Sequence, residues 1–401
     1  MHVSIGYSEN PDTTLAGLQA AQTALRAGIS TQPCLMVLLF STARHDPAVL
    51  RQAVASVFGP EVMVVGGGAI GVISNDRLGY AGDQVGLAAF WMKANTVDLL
   101  VQGDVPQNED ATGEALGKRL SALGVTPASP VLFFYDAVDR ARCGLQPVMV
   151  TPMLEGMKRT LGYYPALCGA GLQGDFICTP TKQWTGDGIS SGNALALVFS
   201  NGVQIDTTII HGCWPATGYY TVTRADRQTI LEIDGVPALT FMNSLLGEAI
   251  PPEEYAFFLM LGVNKGDPWA DFNENSYVNR LCLTIDRERN GLVMFEPDMV
   301  EGTRFQIMHR SMDLNYIPPK VEGLFNRLNG RKPVFAFYID CAGRAAAYAG
   351  IDQEDGQTVR EIVGDRVPLL GIYSGVEIAS VEGLPRGLDW TGVFCLFSVE
   401  T

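Results

Sequence analysis

VMVVGGGAIG, residues 62–71, is the stretch from which the fold is read. An apolar, β-branched run enters three consecutive glycines, so a strand ends in a turn whose backbone takes positive φ or passes close to another segment. Upstream, PCLMVLLF (33–40) is short and apolar, as a buried strand is. DPAVLRQAVASVF (46–58) then reads as a helix, with Asp46 as its N-cap and Pro47 at the first helical position. Downstream, a polar hairpin-like stretch leads to a further strand, QVGLAAFWM (84–92).

The same order recurs twice. PVLFFYD (130–136), VTPMLEGMKRTLG (150–162), PALCGAGLQGD (165–175) and NALALVF (193–199) form a second copy. PVFAFYID (333–340), QTVREIVG (357–364), PLLGIYSGVEI (368–378) and TGVFCLF (391–397) form a third. Three copies of strand, helix, strand with glycine turn, and strand predict an α/β protein with mixed sheets flanked by helices. The turns fall at strand ends, where α/β proteins bind ligands. Gly67 and Gly169 are therefore candidate ligand-binding positions. Between the second and third copies, 203–211 predicts a strand, 219–234 a hairpin, 236–248 a helix, and 279–309 alternates as paired strands do. A break near 215–225 divides the chain into expected domains 1–218 and 219–401.

The totals exclude several classes. A net charge of −15 argues against nucleic acid and anionic membrane as partners, since both recruit basic surfaces. Hydrophobic residues at 47% and charged residues at 18% indicate filled cores. The N-terminus shows no secretion signal and no run approaches the ~20 apolar residues of a membrane helix, so the expected location is cytoplasmic. Eight scattered cysteines form no C-x-x-C pair and are expected to be reduced and buried. A homo-oligomer is compatible with this composition.

Familiar catalytic signatures are absent. Gly66 to Gly71 fits G-x-G-x-x-G in form, but the residues after it read as a hairpin where the dinucleotide fingerprint needs a helix. No P-loop occurs, and Ser374 lacks nucleophile-elbow spacing. With four histidines, general bases are few, leaving carboxylates such as Glu377 and Asp175 as the enzyme alternative. Glu377, just past the third glycine turn, could equally accept hydrogen bonds from backbone amides. His211-Gly212-Cys213-Trp214-Pro215 is the densest constellation. Alternation would put His211 and Cys213 on one face, both able to ligate iron, with Trp214 walling an apolar pocket. The bland alternative is a histidine bonded to a turn carbonyl and a cysteine filling core. Cys178 and Cys341 are weaker candidates, and Arg344 could pair with an anionic ligand group or with a protein carboxylate.

The chain also resembles a known family. VSIGYSENPDTTLAGLQAAQTAL (3–25), VVGGGAIGVISNDRLGYAGDQVGLAAF (64–90), CGAGLQGDF (168–176) and NALALVFSNGVQI (193–205) resemble the FIST N-terminal domain. HGCWPATGYYTVTRADRQTILEIDGVPAL (211–239), DCAGR (340–344) and PLLGIYSGVEIA (368–379) resemble its junction and C-terminal domain. The resemblance implies two FIST domains in a non-enzymatic bacterial sensory protein that binds a small ligand and signals to a histidine kinase or a cyclic-di-GMP enzyme. No output domain follows the third copy, so that partner is expected to act in trans. A free-standing chain of this length resembles the nitric-oxide-sensing subgroup, which implies haem, with His211 as candidate axial ligand. The family pattern often carries glutamine where His211 stands, so ligation there need not be general. The alternative is a sensor of an amino acid or similar metabolite, gripped by the glycine-turn amides and Arg344. Cys213, Trp214, Pro215, Tyr373 and Glu377 complete the candidate ligand-binding set.

Overall fold

A computed structural model describes residues 1–138, 147–179, 182–247, 250–256 and 258–401, and Cys143 lies outside them. The three copies are there, and each is longer than the sequence suggested. A leading strand and helix precede the expected elements: His2–Ser8 and Thr13–Ala27 in the first copy, Val97–Gln102 and Glu109–Ala122 in the second. In the third, Gln204–Ile210 leads, and its helix, Ile317–Asn326, follows only after an inserted domain. Asp46 caps its helix as expected, accepting from the amides of Ala48 and Val49 at 2.8 and 2.9 Å.

Each copy builds the same sheet. Its first strand (Cys34–Ser41, Pro130–Asp136 or Lys332–Cys341) pairs in parallel with the strand after the helix (Met63–Gly68, Ala166–Leu172 or Leu369–Ser374). On its other edge it pairs antiparallel with the return strand (Val85–Trp91, Ala194–Phe199 or Gly392–Val399). The leading strand completes that edge.

The hairpin after each glycine turn leaves its own copy. Gly71–Ser74 of the first copy pairs with Leu369–Ser374 of the third. Gln183–Gly186 of the second pairs with Met63–Gly68 of the first, and Val376–Val381 of the third pairs with Ala166–Leu172 of the second. The exchange is cyclic, and it produces three six-stranded sheets of one topology. Strands from both sides of residue 218 share two of those sheets.

Glycines allow the close parallel pairing inside each copy. Gly66, Gly169 and Gly371 occupy one register, opposite Leu39, Phe133 and Tyr338. A Cβ at these places would lie 2.0, 1.6 and 2.6 Å from the carbonyl oxygens of those residues. The inner faces of the sheets share a single core containing residues from all three copies. Phe40, Phe134 and Phe337, one from each first strand, meet there with ring centroids 5.4, 5.7 and 6.0 Å apart. The recurrence seen in sequence is therefore a pseudo-threefold core.

The inserted domain is a strand ring. The expected hairpin at 219–234 is Tyr220–Asp226 with Thr229–Ile233, and the expected helix is Ala238–Leu246. Tyr277–Asp286, Gly291–Met294 and Arg304–Arg310 account for the alternation at 279–309. Met260–Asn264, which the sequence reading missed, pairs with both Tyr277–Asp286 and Arg304–Arg310 and closes the sheet on itself. Closure removes free strand edges, and the ring carries a separate apolar core.

Candidate functional site

The parallel strands of all three copies end toward one region, and their turns are tied together there. Ile70 N–H donates to Tyr373 O at 3.0 Å, Gly375 N–H to Gly171 O at 3.2 Å, and Ala43 N–H to Gly174 O at 3.0 Å. A cavity of about 1030 Å³ opens at this convergence. The turns contribute Ile70, Gln173, Ser374 and Gly375, and the first-strand ends contribute Ala137, Cys341 and Ala342. The inserted ring adds Met260, Leu281, Phe295 and Met308, together with His309 and Arg310. Ile177, Phe258, Met312 and Tyr348 belong to the same lining while being 83%, 75%, 65% and 54% exposed, which makes an apolar rim. Ligand binding at strand ends was the expectation, and the cavity lies there. The individual glycines named for it do not: Gly169 has no room for a side chain because of Phe133 O, and Gly67 packs beside Leu172 and Gln183.

A buried ionic cluster adjoins the cavity. Arg344, fully buried, pairs with Asp355, donates to His211 O at 2.8 Å and Tyr316 Oη at 3.0 Å, and lies 3.4 Å from Asp340. Arg310, whose side chain is 8% exposed, reaches the same Asp355 at 2.6 Å. Burial and the nearby Asp355 carboxylate push Asp340 above the ordinary carboxylate range. Ser374 Oγ, on the cavity wall, donates to Glu377 Oε1 at 2.8 Å, and burial raises the Glu377 carboxyl strongly. Arg344 thus faces, besides the Asp355 it shares with Arg310, an acid that favours its neutral form.

The HGCWP constellation sits elsewhere. The strand ends at Ile210, and Gly212 at φ +61° turns the chain, so His211 and Cys213 do not alternate on one face. His211 is fully buried, its Nδ1 accepting from Cys213 N–H at 2.9 Å and its Nε2 3.1 Å from Glu274 O. Burial holds its pKa down to about 4. Both ring nitrogens are occupied by the protein, so His211 does not fit an axial ligand of haem. Cys213 Sγ lies 3.6 Å from Met260 Sδ in a small apolar cluster, its thiol pushed up to about 12 by burial. Trp214 is 47% exposed and packs on Phe272 with centroids 4.4 Å apart, and Pro215 pairs with Met308 in a short strand. None of these four lines the cavity.

The other candidates divide. Arg344 is committed to protein carboxylates, and Tyr373 Oη donates to Glu354 at 2.9 Å, so neither faces the cavity. Asp175 accepts from the amides of Ile177 and Thr179 and shapes a turn. Cys178 and Cys341, the weaker sequence candidates, do line the cavity, and burial raises both thiols. Arg310, Trp390 and Asp389 were missed. Their positions depend on the ring docking against turns far away in sequence, so no local pattern marks them. Asp389 accepts from Leu281 N–H at 3.0 Å, and burial raises its pKa to about 6. Among the described residues no group of His, Cys, Asp and Glu is arranged to hold a metal ion, and no helix is long and apolar enough to cross a membrane.

Comparison with known proteins agrees with this architecture. The FIST N domain model matches residues 35–236, and the FIST C domain model matches 238–380. The N-domain match ends beyond the leading strand of the third sheet, and the C-domain match takes in most of the inserted ring and the third copy. An uncharacterized protein of Mycobacterium bovis is 28% identical over 193 residues, 47% of this chain and 49% of the relative, so the chain covers about half the length of that relative. An uncharacterized protein of Mycobacterium tuberculosis is 22% identical over 403 residues, 99% of this chain and 100% of the relative.

Proposed function

The chain belongs to the FIST family, whose domains occur in sensory and signal-transduction proteins, and from that premise we propose that it is a non-enzymatic receptor for a small ligand held in the convergence cavity. One observation carries this reading: the walls come from all three copies and from the inserted ring. A ligand there touches the two bodies at once, and it favours whichever arrangement of ring and core it fits better. The response passes to a histidine kinase or a cyclic-di-GMP enzyme. Thermal unfolding across a metabolite panel tests the binding, since a ligand of the native state raises the midpoint by mass action. Absence of any shift, with haem and apolar ligands included, would refute the reading. Autophosphorylation of a kinase with and without liganded receptor tests the output.

Haem is the narrower form of the same proposal, and it would supply an iron able to bind nitric oxide. Were haem held in this cavity, His309, an exposed lining residue, would be the histidine nearest to hand, while His211, the candidate from sequence, is enclosed. Reconstitution with haemin should then give a Soret band that His309→Ala shifts and His211→Ala leaves in place. The reverse pattern would restore His211.

A further inference from the structure

The cavity contains two donors for which the described residues supply no acceptor. Arg310 Nε and Trp390 Nε1 are both buried, both belong to lining residues, and neither has a hydrogen-bond partner. The two share a neighbour: Arg344 donates to Trp390 O at 3.2 Å, and its own carbonyl lies 3.5 Å from Arg310 Nη1. Buried N–H groups are almost always paired, so an unpaired couple at the wall of a large cavity marks the place of a ligand acceptor. Apart from Gln173, His309, Ser374 and Asp389, the rest of the lining is largely apolar. Met260, Met308, Met312, Phe176, Phe258 and Phe295 offer thioether and ring surface that adapts to an apolar body.

Resting on the receptor reading above, we propose that this cavity takes a hydrophobic carboxylate, its carboxyl oxygens accepting from Arg310 Nε and Trp390 Nε1 and its apolar body lying among the methionines and phenylalanines. The charges around the site agree. Arg310 and Arg344 share Asp355, and Asp340, the second acid beside Arg344, is held toward its neutral form by burial and by Asp355. Asp389, the carboxylate in the lining, is answered by Leu281 N–H and by Arg280 Nη1 at 3.9 Å. A free amino acid fits less well, because its ammonium would enter a wall whose unpaired polar atoms are donors. The cavity also exceeds what such a molecule fills, lying at the upper end of the roughly 300–1,000 Å³ of pockets that enclose drug-sized ligands.

The test uses the full chain, freed of bound lipid, titrated calorimetrically with decanoate, decanol, leucine and haemin. Decanoate should bind at least about tenfold tighter than decanol, the factor expected from a charge-assisted hydrogen bond. Trp390→Phe should remove most of that preference while leaving decanol within about twofold, and Arg310→Lys should act in the same direction. Because Arg310 also holds Asp355, Trp390→Phe is the decisive variant if Arg310→Lys folds poorly. Equal binding of acid and alcohol, or a preference untouched by Trp390→Phe, would overturn the carboxylate assignment and leave a receptor for neutral apolar ligands. Binding of leucine or haemin without decanoate would overturn it likewise, with the receptor reading intact. Binding of none of the four, together with a flat metabolite panel, would remove the receptor reading itself.

Discussion

Glu296 joins the inserted ring to the core, and its titration should be visible in the stability of the whole chain. Its two carboxyl oxygens accept from the amides of Val150 and Thr151, each at 3.0 Å. These are the first amides of the helix Val150–Leu161, which has no side-chain cap of its own. A carboxylate at a helix N-terminus is normally favoured, but Glu296 is 1% exposed, and burial raises its pKa from 4.5 to about 7 against the lowering pull of Arg280. The folded state therefore binds this proton more tightly than the unfolded chain. The stabilisation is complete below pH 4.5 and is lost as the pH rises to about 7. At ~1.4 kcal/mol for each tenfold change in proton affinity, it amounts to about 3 kcal/mol. Glu296→Gln removes the titration and keeps the shape, at a fixed cost for turning an amide NH₂ toward one of two N–H donors. Melting midpoints of both proteins should be compared at pH 5, 6, 7 and 8. The wild-type advantage should shrink by roughly 3–5 °C over that range, allowing for the length of the chain. His211, with its depressed pKa, loses stability in the opposite direction as the pH falls toward 4, but it is common to both proteins and largely cancels in the difference. Parallel curves would show that Glu296 does not hold its proton as argued.

Two other outcomes follow from the exchanged hairpins. Gly169→Ala should lower the melting midpoint severely and deplete the soluble fraction, because its Cβ would sit 1.6 Å from Phe133 O within a paired ladder; a midpoint within about 2 °C of wild type would contradict that packing, and a selective loss of ligand affinity would return the glycine to the binding set. A fragment of residues 1–218 lacks the strand that covers Ala166–Leu172 and the strand on which Gly71–Ser74 pairs, so it should melt without a cooperative transition in calorimetry, and a sharp transition near that of the full chain would show that the halves fold separately.

Much of the core was legible because its signals are local. Asp46-Pro47 announces a helix start, and PVLFFYD or PVFAFYID reads as a buried strand with no knowledge of its neighbours. The leading helices were overlooked for a physical reason. Thr13–Ala27 buries Ala16, Gly17, Ala20, Ala21 and Ala24, a face too small in side-chain volume to stand out as an apolar stripe. The hairpin exchange was beyond reach, since the alternation in a strand states which face is buried and not which sheet accepts its edge. The same limit governed the site. HGCWP looked chemical because His, Cys and Trp lie close in sequence, yet His211 is bonded to Cys213 N–H and Glu274, and Trp214 packs on Phe272. The cavity instead assembles Ile70, Gln173, Arg310, Ser374 and Trp390 from five separate stretches.

The interleaving also constrains how a signal could leave the cavity. Each of the three sheets contains a hairpin from another copy, so one sheet cannot shift against the next without breaking edge hydrogen bonds. Their shared interior is close-packed, with Phe40, Phe134 and Phe337 wholly buried at its centre, and a packed core of that kind does not deform gradually. The inserted ring differs, since among the described residues its strands pair with one another and with Cys213–Pro215 but with no strand of the three core sheets, and it meets the core through contacts that involve side chains. Those contacts include the Glu296 cap, the Arg310–Asp355–Arg344 cluster, the Leu281 N–H bond to Asp389, the Arg280 bond to Gly387 O at 3.0 Å and the lining of the cavity. A ligand seated among Met260, Met308 and Trp390 therefore acts on the seam that can rearrange at the least cost in backbone hydrogen bonds.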